Sequence, residues 1–334
     1  MTDWFERLTG FREGHYVETQ GRLTVSGNRL TSTANGKSYG IGQLEVPSLE
    51  ALRERPRGRA KGRLKVGNLS ADVKALHRDP KHRGALFQVA SQFNLLEMVG
   101  PSVTPEHGVT RYAGDPTQGP ACAIAAGAAT IYRNYFAPVA GQTGQTAKVQ
   151  IDAASELRQA MAGAIGVAPQ DLWTMQNGYA LPSADGLRLA SAYLRSLTEP
   201  EREALKGTLR IGLHWDVEVT EGGSPDQLVS QAFCSAMPVS YSGLSFDAWE
   251  PLARLVLEAS YEATLAAAAA GTGDNDVVFL TRLGGGAFGN ANAWIDDAIR
   301  VALERFRDVS LNVNFVSYGH IPTSLRSLEA EFSS

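Results

Sequence analysis

The segment that decides the fold is Val277-Val278-Phe279-Leu280-Thr281-Arg282-Leu283-Gly284-Gly285-Gly286-Ala287-Phe288-Gly289-Asn290. It opens with a short, nearly continuous apolar run rich in β-branched residues, which is typical of a strand buried on both faces. Four glycines within six residues follow, and apolar residues then recur at helical spacing as far as Phe306. The pattern predicts a strand, a glycine loop and a helix, in that order.

The glycine loop has the composition of a phosphate-binding turn. Glycines let backbone N–H groups converge on a bulky anion with no Cβ in the way, and the following helix adds its positive N-terminal end. The predicted ligand-binding residues here are Leu283, Gly284, Gly285, Gly286, Ala287, Phe288, Gly289 and Asn290. The alternative is a tight turn that binds nothing. The loop also fits G-x-G-x-x-G, but it comes too late in the sequence to open an ordinary dinucleotide-binding domain.

Composition indicates a globular protein without a bias toward polyanions. Of 334 residues, 43% are hydrophobic and 20% charged, and the net charge is −4. Basic residues alternate between Arg53 and Lys65, and we interpret them as a solvated loop and strand edge rather than a nucleic-acid site. The two cysteines, Cys122 and Cys234, have small or apolar neighbours, which predicts buried free thiols.

Targeting signals are not evident in the sequence. The N-terminus lacks the basic start and apolar core of a signal peptide. The most apolar helix, around Ala253 to Ala270, carries Arg254, Glu258 and Glu262 and is too polar to span a membrane. We therefore expect a cytoplasmic monomer with no cofactor and with neither membrane nor nucleic acid as a partner.

The rest of the chain predicts an α/β fold. Its first part suggests a β meander within residues 14–47, a helix from Ser48 to Arg55, a pair of strands from Gly62 to Leu76, a buried strand from Ala85 to Ala90 and an alanine-rich helix from Ala121 to Phe136. From Thr208 to Val316 strands alternate with helices, which implies a mixed sheet covered on both faces. We expect a three-layer α/β/α domain over residues 80–334, a helical insertion near 140–205, and a β-rich extension, residues 1–79, packed on it.

Two predicted strand ends share the edge at which open α/β sheets bind ligands. One is Phe87-Gln88-Val89-Ala90-Ser91-Gln92-Phe93-Asn94, and the other leads into the glycine loop. Together with Gly286-Ala287-Phe288-Gly289 and the last strand Val313-Asn314-Phe315-Val316, this arrangement resembles the macrodomain family, whose members bind ADP-ribose. The resemblance covers roughly residues 80–320.

The chain departs from the family pattern at two places. Ala90-Ser91-Gln92-Phe93-Asn94 stands where macrodomains usually carry Asn-Ala-Ala-Asn, and residues 115–120 (Asp-Pro-Thr-Gln-Gly-Pro) replace the common Gly-Gly-Gly-Val loop. The chain therefore resembles a divergent macrodomain. It is similar to the branch that removes ADP-ribose from modified arginine, which uses acidic residues around the distal ribose.

The resemblance implies a site for ADP-ribose at this edge. The remaining predicted ligand-binding residues are Gln88, Ala90, Ser91, Asn94, Thr117 and Gly119. A carboxylate there could orient ribose hydroxyls or activate water, and the predicted catalytic residues are Asp115, Glu97 and Gln118. If its segment is helical, Glu97 shares a face with Asn94. Asp115 is alternatively a turn former or helix cap, and Glu97 is alternatively an exposed helix residue. Ser240-Tyr241-Ser242-Gly243 follows a strand and is either pocket lining or a turn.

These expectations describe an ADP-ribosylhydrolase acting on modified protein side chains, arginine among them. A second class of protein, a reader that binds ADP-ribosylated partners without cleaving them, fits the same features. An NAD-dependent oxidoreductase is a third interpretation. The sequence favours hydrolysis only through Asp115 and Glu97.

Overall fold

The computed structural model describes residues 2–224 and 226–333, which form fourteen strands and thirteen α-helices. The strands are β1 (Leu23–Ser26), β2 (Arg29–Ser32), β3 (Ser38–Gly40), β4 (Gln43–Glu45), β5 (Lys65–Ser70), β6 (Leu86–Ala90), β7 (Pro138–Val139), β8 (Gln142–Thr143), β9 (Thr174–Gln176), β10 (Tyr179–Leu181), β11 (Gly212–Glu218), β12 (Leu228–Cys234), β13 (Val277–Leu280) and β14 (Asn312–Ser317). The helices are α1 (Trp4–Thr9), α2 (Tyr16–Gly21), α3 (Leu49–Glu54), α4 (Val73–Arg78), α5 (Gln118–Ala125), α6 (Gly127–Tyr135), α7 (Ser155–Ile165), α8 (Pro169–Leu172), α9 (Ala184–Ser196), α10 (Glu199–Gly207), α11 (Phe246–Ala270), α12 (Asn292–Arg305) and α13 (Thr323–Ser333).

A seven-stranded mixed sheet lies at the centre, in the order β4-β11-β12-β6-β13-β14-β5. The strands β12, β6, β13, β14 and β5 run parallel to one another, and β11 is antiparallel to both of its neighbours. As predicted, β13 is an interior strand between β6 and β14. The carboxyl ends of the five parallel strands meet at one edge, which is where such sheets bind ligands.

Both faces of the sheet are buried by helices because alternate side chains of each central strand point to opposite sides. Leu86 and Val278 pack in the cluster that contains α11 and α12. Phe87 and Phe279 stack with ring centroids 4.5 Å apart in the cluster that contains residues of α4 and α5. The predicted three-layer α/β/α class is confirmed, and both cysteines are buried free thiols as expected.

Two local predictions differ from the structure. Residues Gly62 to Leu76 contain one strand and one helix instead of two strands, because the Asp72 carboxylate accepts a hydrogen bond from the Lys74 amide and begins α4. The helix predicted from Ala121 to Phe136 begins earlier, at Gln118, and is divided into α5 and α6 at Ala126, where φ is −109° and ψ is 57°.

The N-terminal part contributes to the sheet as well as to the predicted meander. Strands β1, β2 and β3 form a separate antiparallel sheet, as expected, but β4 and β5 belong to the main sheet. The sheet therefore crosses the predicted boundary after residue 79. The predicted insertion, residues 140–205, contains α7 to α9, the β9–β10 hairpin and most of α10. Among the described residues, no helix has both the length and the apolar character needed to cross a membrane.

Candidate functional site

A cavity of about 600 Å³ opens at the carboxyl edge of the sheet, beside the start of α5. Asp115, Thr117 and Gln118 line it next to Thr281, the first residue after β13. The ends of β5 and β14 and the helix α1 complete its wall with Asp72, Lys74, Val316, Tyr318, Asp3, Trp4 and Arg7. The cavity therefore lies between the start of α5 and the end of β13, and the glycine loop begins a few residues beyond its wall.

The glycine loop after β13 is held by bonds to its neighbours. The Leu283 amide donates to the Tyr261 hydroxyl at 2.8 Å, and the Asn290 side chain donates to the Met237 carbonyl at 2.8 Å. Gly289 has a φ of +69°, and a Cβ there would lie 1.8 Å from the Ser240 hydroxyl oxygen. Only glycine fits at this position, because any side chain would both strain the backbone and collide.

Four backbone amides of this loop are left free to bind a ligand. The N–H groups of Gly284, Gly286, Ala287 and Phe288 donate to no acceptor within the described part of the chain. The segment from Gly285 to Ala287 is exposed. Adjacent unpaired amides in a turn form a concave site for an anion. By contrast, the amides of four other residues donate to acceptors within or beside the loop: Leu283, Gly285, Gly289 and Asn290.

The first turn of α5 lies directly against β6. A Cβ on Gly119 would be 1.9 Å from the Ala90 carbonyl oxygen, so the close approach requires glycine. The Gln118 side chain accepts from the Ala90 amide at 3.0 Å and donates to the Gln88 carbonyl at 2.8 Å. Both ends of the Gln118 amide are thus engaged with the backbone of β6, which ties the start of α5 to that strand.

Asp115 is a half-buried carboxylate that lines the cavity. It follows a 3-10 helix, Thr110–Gly114, and one of its oxygens accepts from the Thr117 amide at 2.8 Å. Its other oxygen bonds to no described residue, so it is free to receive a hydroxyl or a water. The alternative interpretation of Asp115 as a turn former also applies, because one oxygen does close a turn.

Glu97 is a second carboxyl group close to α5, but it does not line the cavity. It is only 2% exposed, and neither of its oxygens has a hydrogen-bond partner among the described residues. The nearest cation is Arg133, 3.7 Å away and also buried. Burial raises the pKa of Glu97 to about 8, against the opposing effects of Arg133 and the Tyr112 hydroxyl. The carboxyl group is therefore mainly protonated at neutral pH.

The segment that carries Glu97 is a loop, so the expectation that Glu97 shares a helical face with Asn94 is wrong. Leu95, between them, has a φ of +64°, which an α-helix does not accommodate. Asn94 is buried and donates to Gln150 at 2.8 Å while accepting from the Leu96 amide at 3.1 Å. Its polar atoms are used within the protein.

Gln88 and Ser91 are also committed to internal bonds. Gln88 donates to the Thr264 hydroxyl at 2.9 Å and accepts from the Thr281 amide at 3.3 Å. The Ser91 hydroxyl donates to the Gln92 carbonyl at 3.1 Å. These buried side chains form the floor beneath the two loops and link β6 to the start of the glycine loop.

Three aromatic rings meet above the glycine loop. Tyr179 of β10, Tyr241 and Phe288 have ring centroids 5.1, 5.3 and 5.7 Å apart. The pKa of Tyr179 is raised by burial first and then by the Tyr241 hydroxyl and the Asp115 carboxylate. The insertion thus reaches the site through Tyr179, which the sequence did not single out because no local pattern marks it. Tyr318 and Asp72 could have been found from their places after strand ends.

Comparisons with known proteins found similarity in structure alone. No family model and no curated protein matches the chain. A poly(ADP-ribose) glycohydrolase from Deinococcus radiodurans in complex with ADP-ribose has a TM-score of 0.45 and 14% identity, covering 87% of this chain and 94% of its own. The enzyme of the same name from Thermomonospora curvata has a TM-score of 0.45 and 15% identity, covering 95% of each chain. Bound to the inhibitor ADP-HPD, that enzyme gives a TM-score of 0.43.

Proposed function

We propose that this protein binds ADP-ribose and hydrolyses the bond that joins its terminal ribose to a macromolecule. The observation that carries the proposal is the set of four unpaired amides on the glycine loop, which follows Thr281 in the cavity wall. A diphosphate matches such a set because its oxygens accept several N–H bonds at once. At the start of α5 the N–H groups of Gln118 and Gly119 also donate to no acceptor within the described part of the chain, and Gln118 lines the cavity.

The two ends of the site suit the two ends of the ligand. Towards β5 and β14 the cavity offers the exposed ring of Tyr318 and the Asp72 carboxylate. An aromatic face and an acceptor are suited to a purine and its amino group. Asp115 lines the same cavity and lies close enough to Tyr179 to raise the pKa of that residue. The Tyr179 ring contacts those of Tyr241 and Phe288, and we assign this group to the ribose that reacts.

Asp115 is the residue that we assign to the chemistry. Cleavage at an anomeric carbon needs a group that orients the ribose hydroxyls or activates water while positive charge develops on the sugar. The free oxygen of Asp115 can accept the proton of that water. Glu97 has a supporting role in this proposal: its methylene chain lies against Gly119, in the first turn of α5, and its protonated carboxyl group adds no buried negative charge.

Arginine is the linkage that we propose first. A guanidinium leaving group is planar and cationic, and it can lie on an aromatic face beside a carboxylate. Tyr241, Phe288 and Asp115 provide these two features. Binding without cleavage is the second candidate function, favoured by the observation that one of the Asp115 oxygens is already engaged by the Thr117 amide.

Two measurements test the proposal. Calorimetric titration should show tighter binding of ADP-ribose than of AMP or NAD, and equal or absent binding would refute it. Release of free ADP-ribose should then be measured from proteins modified on arginine, on acidic residues or on serine, and from chains of ADP-ribose. Release from one substrate class identifies the linkage. Tight binding with no release from any class would make the protein a reader.

A further inference from the structure

The loop that carries Asp115 is held in place by the N-terminal part of the chain. Glu13 lies between α1 and α2, and its carboxylate accepts from the Val109 amide at 2.8 Å and from the Thr110 amide at 2.7 Å. These amides open the 3-10 helix Thr110–Gly114, which leads directly into Asp115. The carboxylate therefore serves as the N-terminal cap of that short helix, although it is about a hundred residues distant in sequence.

Two further hydrogen bonds hold the Glu13 carboxylate and the loop that it caps in place. The Tyr135 hydroxyl donates to Glu13 at 2.8 Å, and the Trp4 indole donates to the Thr110 carbonyl at 3.2 Å. Gly108, just before the loop, has a φ of +77°, and a Cβ there would be 2.4 Å from the Glu13 carboxylate. Because Gly108 has no side chain, the Glu13 carboxylate can lie directly against its backbone.

These bonds are of the strong, charge-assisted kind. If Glu13 is removed, the Val109 and Thr110 amides lose their acceptor, and the 3-10 helix loses the anchor that sets its direction. Asp115 lies at the end of this helix, so a change in the helix is transmitted to the carboxylate. A displacement of about 1 Å in a reacting group can cost on the order of a hundredfold in rate.

We infer that Glu13 is a positioning residue, which holds the 109–117 loop so that Asp115 meets the ligand at the cavity. This inference rests on the proposed function, and it gives the N-terminal segment a role in the reaction. It also separates two kinds of contribution to the site: the glycine loop binds, whereas the segment held by Glu13 orients the reacting group.

The test uses Glu13→Gln and Glu13→Ala in the full chain, with Glu18→Gln as the matched control. Glu18 is an exposed residue of the same segment, in the first turn of α2. Glutamine retains one accepting oxygen but turns an NH₂ group toward the second amide, so the conservative variant should rescue part of the function. We expect kcat to fall in the order wild type, Glu13→Gln, Glu13→Ala, by about tenfold at the first step. KM and the affinity for ADP-ribose should stay within about threefold, because the diphosphate is bound elsewhere.

Hydrogen exchange supplies a readout that does not depend on turnover. Amides of residues 109–117 should exchange faster in Glu13→Gln than in wild type or Glu18→Gln, with the glycine loop unchanged. If residues 109–117 of Glu13→Gln exchange at the wild-type rate, the inference is overturned whatever the activity. Faster exchange of these residues with an unchanged kcat would also overturn it. If the wild-type protein releases ADP-ribose from no substrate, the proposed function fails, and the exchange data alone decide whether Glu13 holds the loop.

Discussion

Two carboxyl groups lie near the start of α5 in very different surroundings. Asp115 is half-buried and lines the cavity, and one of its oxygens remains free. Glu97 is enclosed with Arg133, and burial keeps its proton bound to about pH 8. Paired carboxyl groups in contrasting environments are typical of sites that move protons. Because their surroundings differ, we expect substitution of Asp115 and of Glu97 to have different effects.

Replacement of Asp115 by asparagine should abolish most turnover and spare binding. The new amide side chain would keep an oxygen that accepts from the Thr117 amide, so the turn should persist, but it could not take a proton from water. We expect kcat to fall by about a hundredfold or more, with the affinity for ADP-ribose within about threefold of wild type. Steady-state kinetics and calorimetry measure the two effects. Asp185→Asn, on the exposed face of α9, is the control, and a wild-type rate for the Asp115 variant would end its catalytic assignment.

Replacement of Glu97 by glutamine should change how stability depends on pH. The folded-state pKa of Glu97 is raised to about 8, above the ordinary value of 4.5, so the folded state holds a proton that the unfolded chain has lost. The native protein therefore loses stability as pH rises between these two values. Glutamine resembles the protonated form and does not titrate. Thermal unfolding should show similar melting temperatures for the two proteins at about pH 5 and a higher one for Glu97→Gln at about pH 8; a constant difference at both pH values would contradict the assignment.

The secondary-structure elements that could be predicted are those marked by a local pattern in the sequence. β13, the glycine loop and α12 follow from hydrophobic period and glycine spacing, and all three occur where the sequence places them. Contacts between distant segments were not readable. Gln118 hydrogen-bonds the backbone of Gln88 and Ala90, about thirty residues earlier. Tyr179 reaches Phe288 only because the insertion folds back onto the site. No local signal specifies such long-range partners.

The glycine loop carries a prediction of its own. A Cβ on Gly286 meets nothing within 4 Å, so a larger residue should be accepted without loss of the fold. A glutamate there would place a negative charge beside the amides that we assign to the diphosphate. Gly286→Glu should weaken ADP-ribose binding by about tenfold or more, and Gly286→Gln, of equal size and no charge, by much less. Calorimetry at low and moderate salt tests this, because the difference should shrink as salt screens the charge. Equal affinities would show that the diphosphate lies elsewhere.

Across the whole molecule, a largely buried ion cluster joins the insertion to the central layers. Glu262 of α11 is 2% exposed and bonds Arg53 of α3 at 2.7 Å and Arg305 of α12 at 2.5 Å. Lys206 of α10, fully buried, lies 3.5 Å from Glu262 and also pairs with Glu203. Four helices from separate parts of the chain thus meet at one carboxylate. Arg53 begins the basic run that we interpreted from the sequence as solvated. Its charge alone could not show that it pairs with a buried carboxylate, because the partner lies on a distant helix.

Removing the central charge of this cluster should destabilise the protein without altering its ligand site. Glu262→Gln leaves Lys206, Arg53 and Arg305 with one carboxylate fewer, and an incompletely compensated buried cation is costly. We expect the free energy of unfolding to fall by about 3 kcal/mol, measured by chemical denaturation. Glu304→Gln, which breaks an exposed pair with Arg307, should cost less than about 1 kcal/mol. ADP-ribose affinity should be retained in both, because the cluster lies outside the cavity. If Glu262→Gln is as stable as the wild-type protein, hydrophobic packing of the four helices, and not the ion cluster, holds the insertion in place.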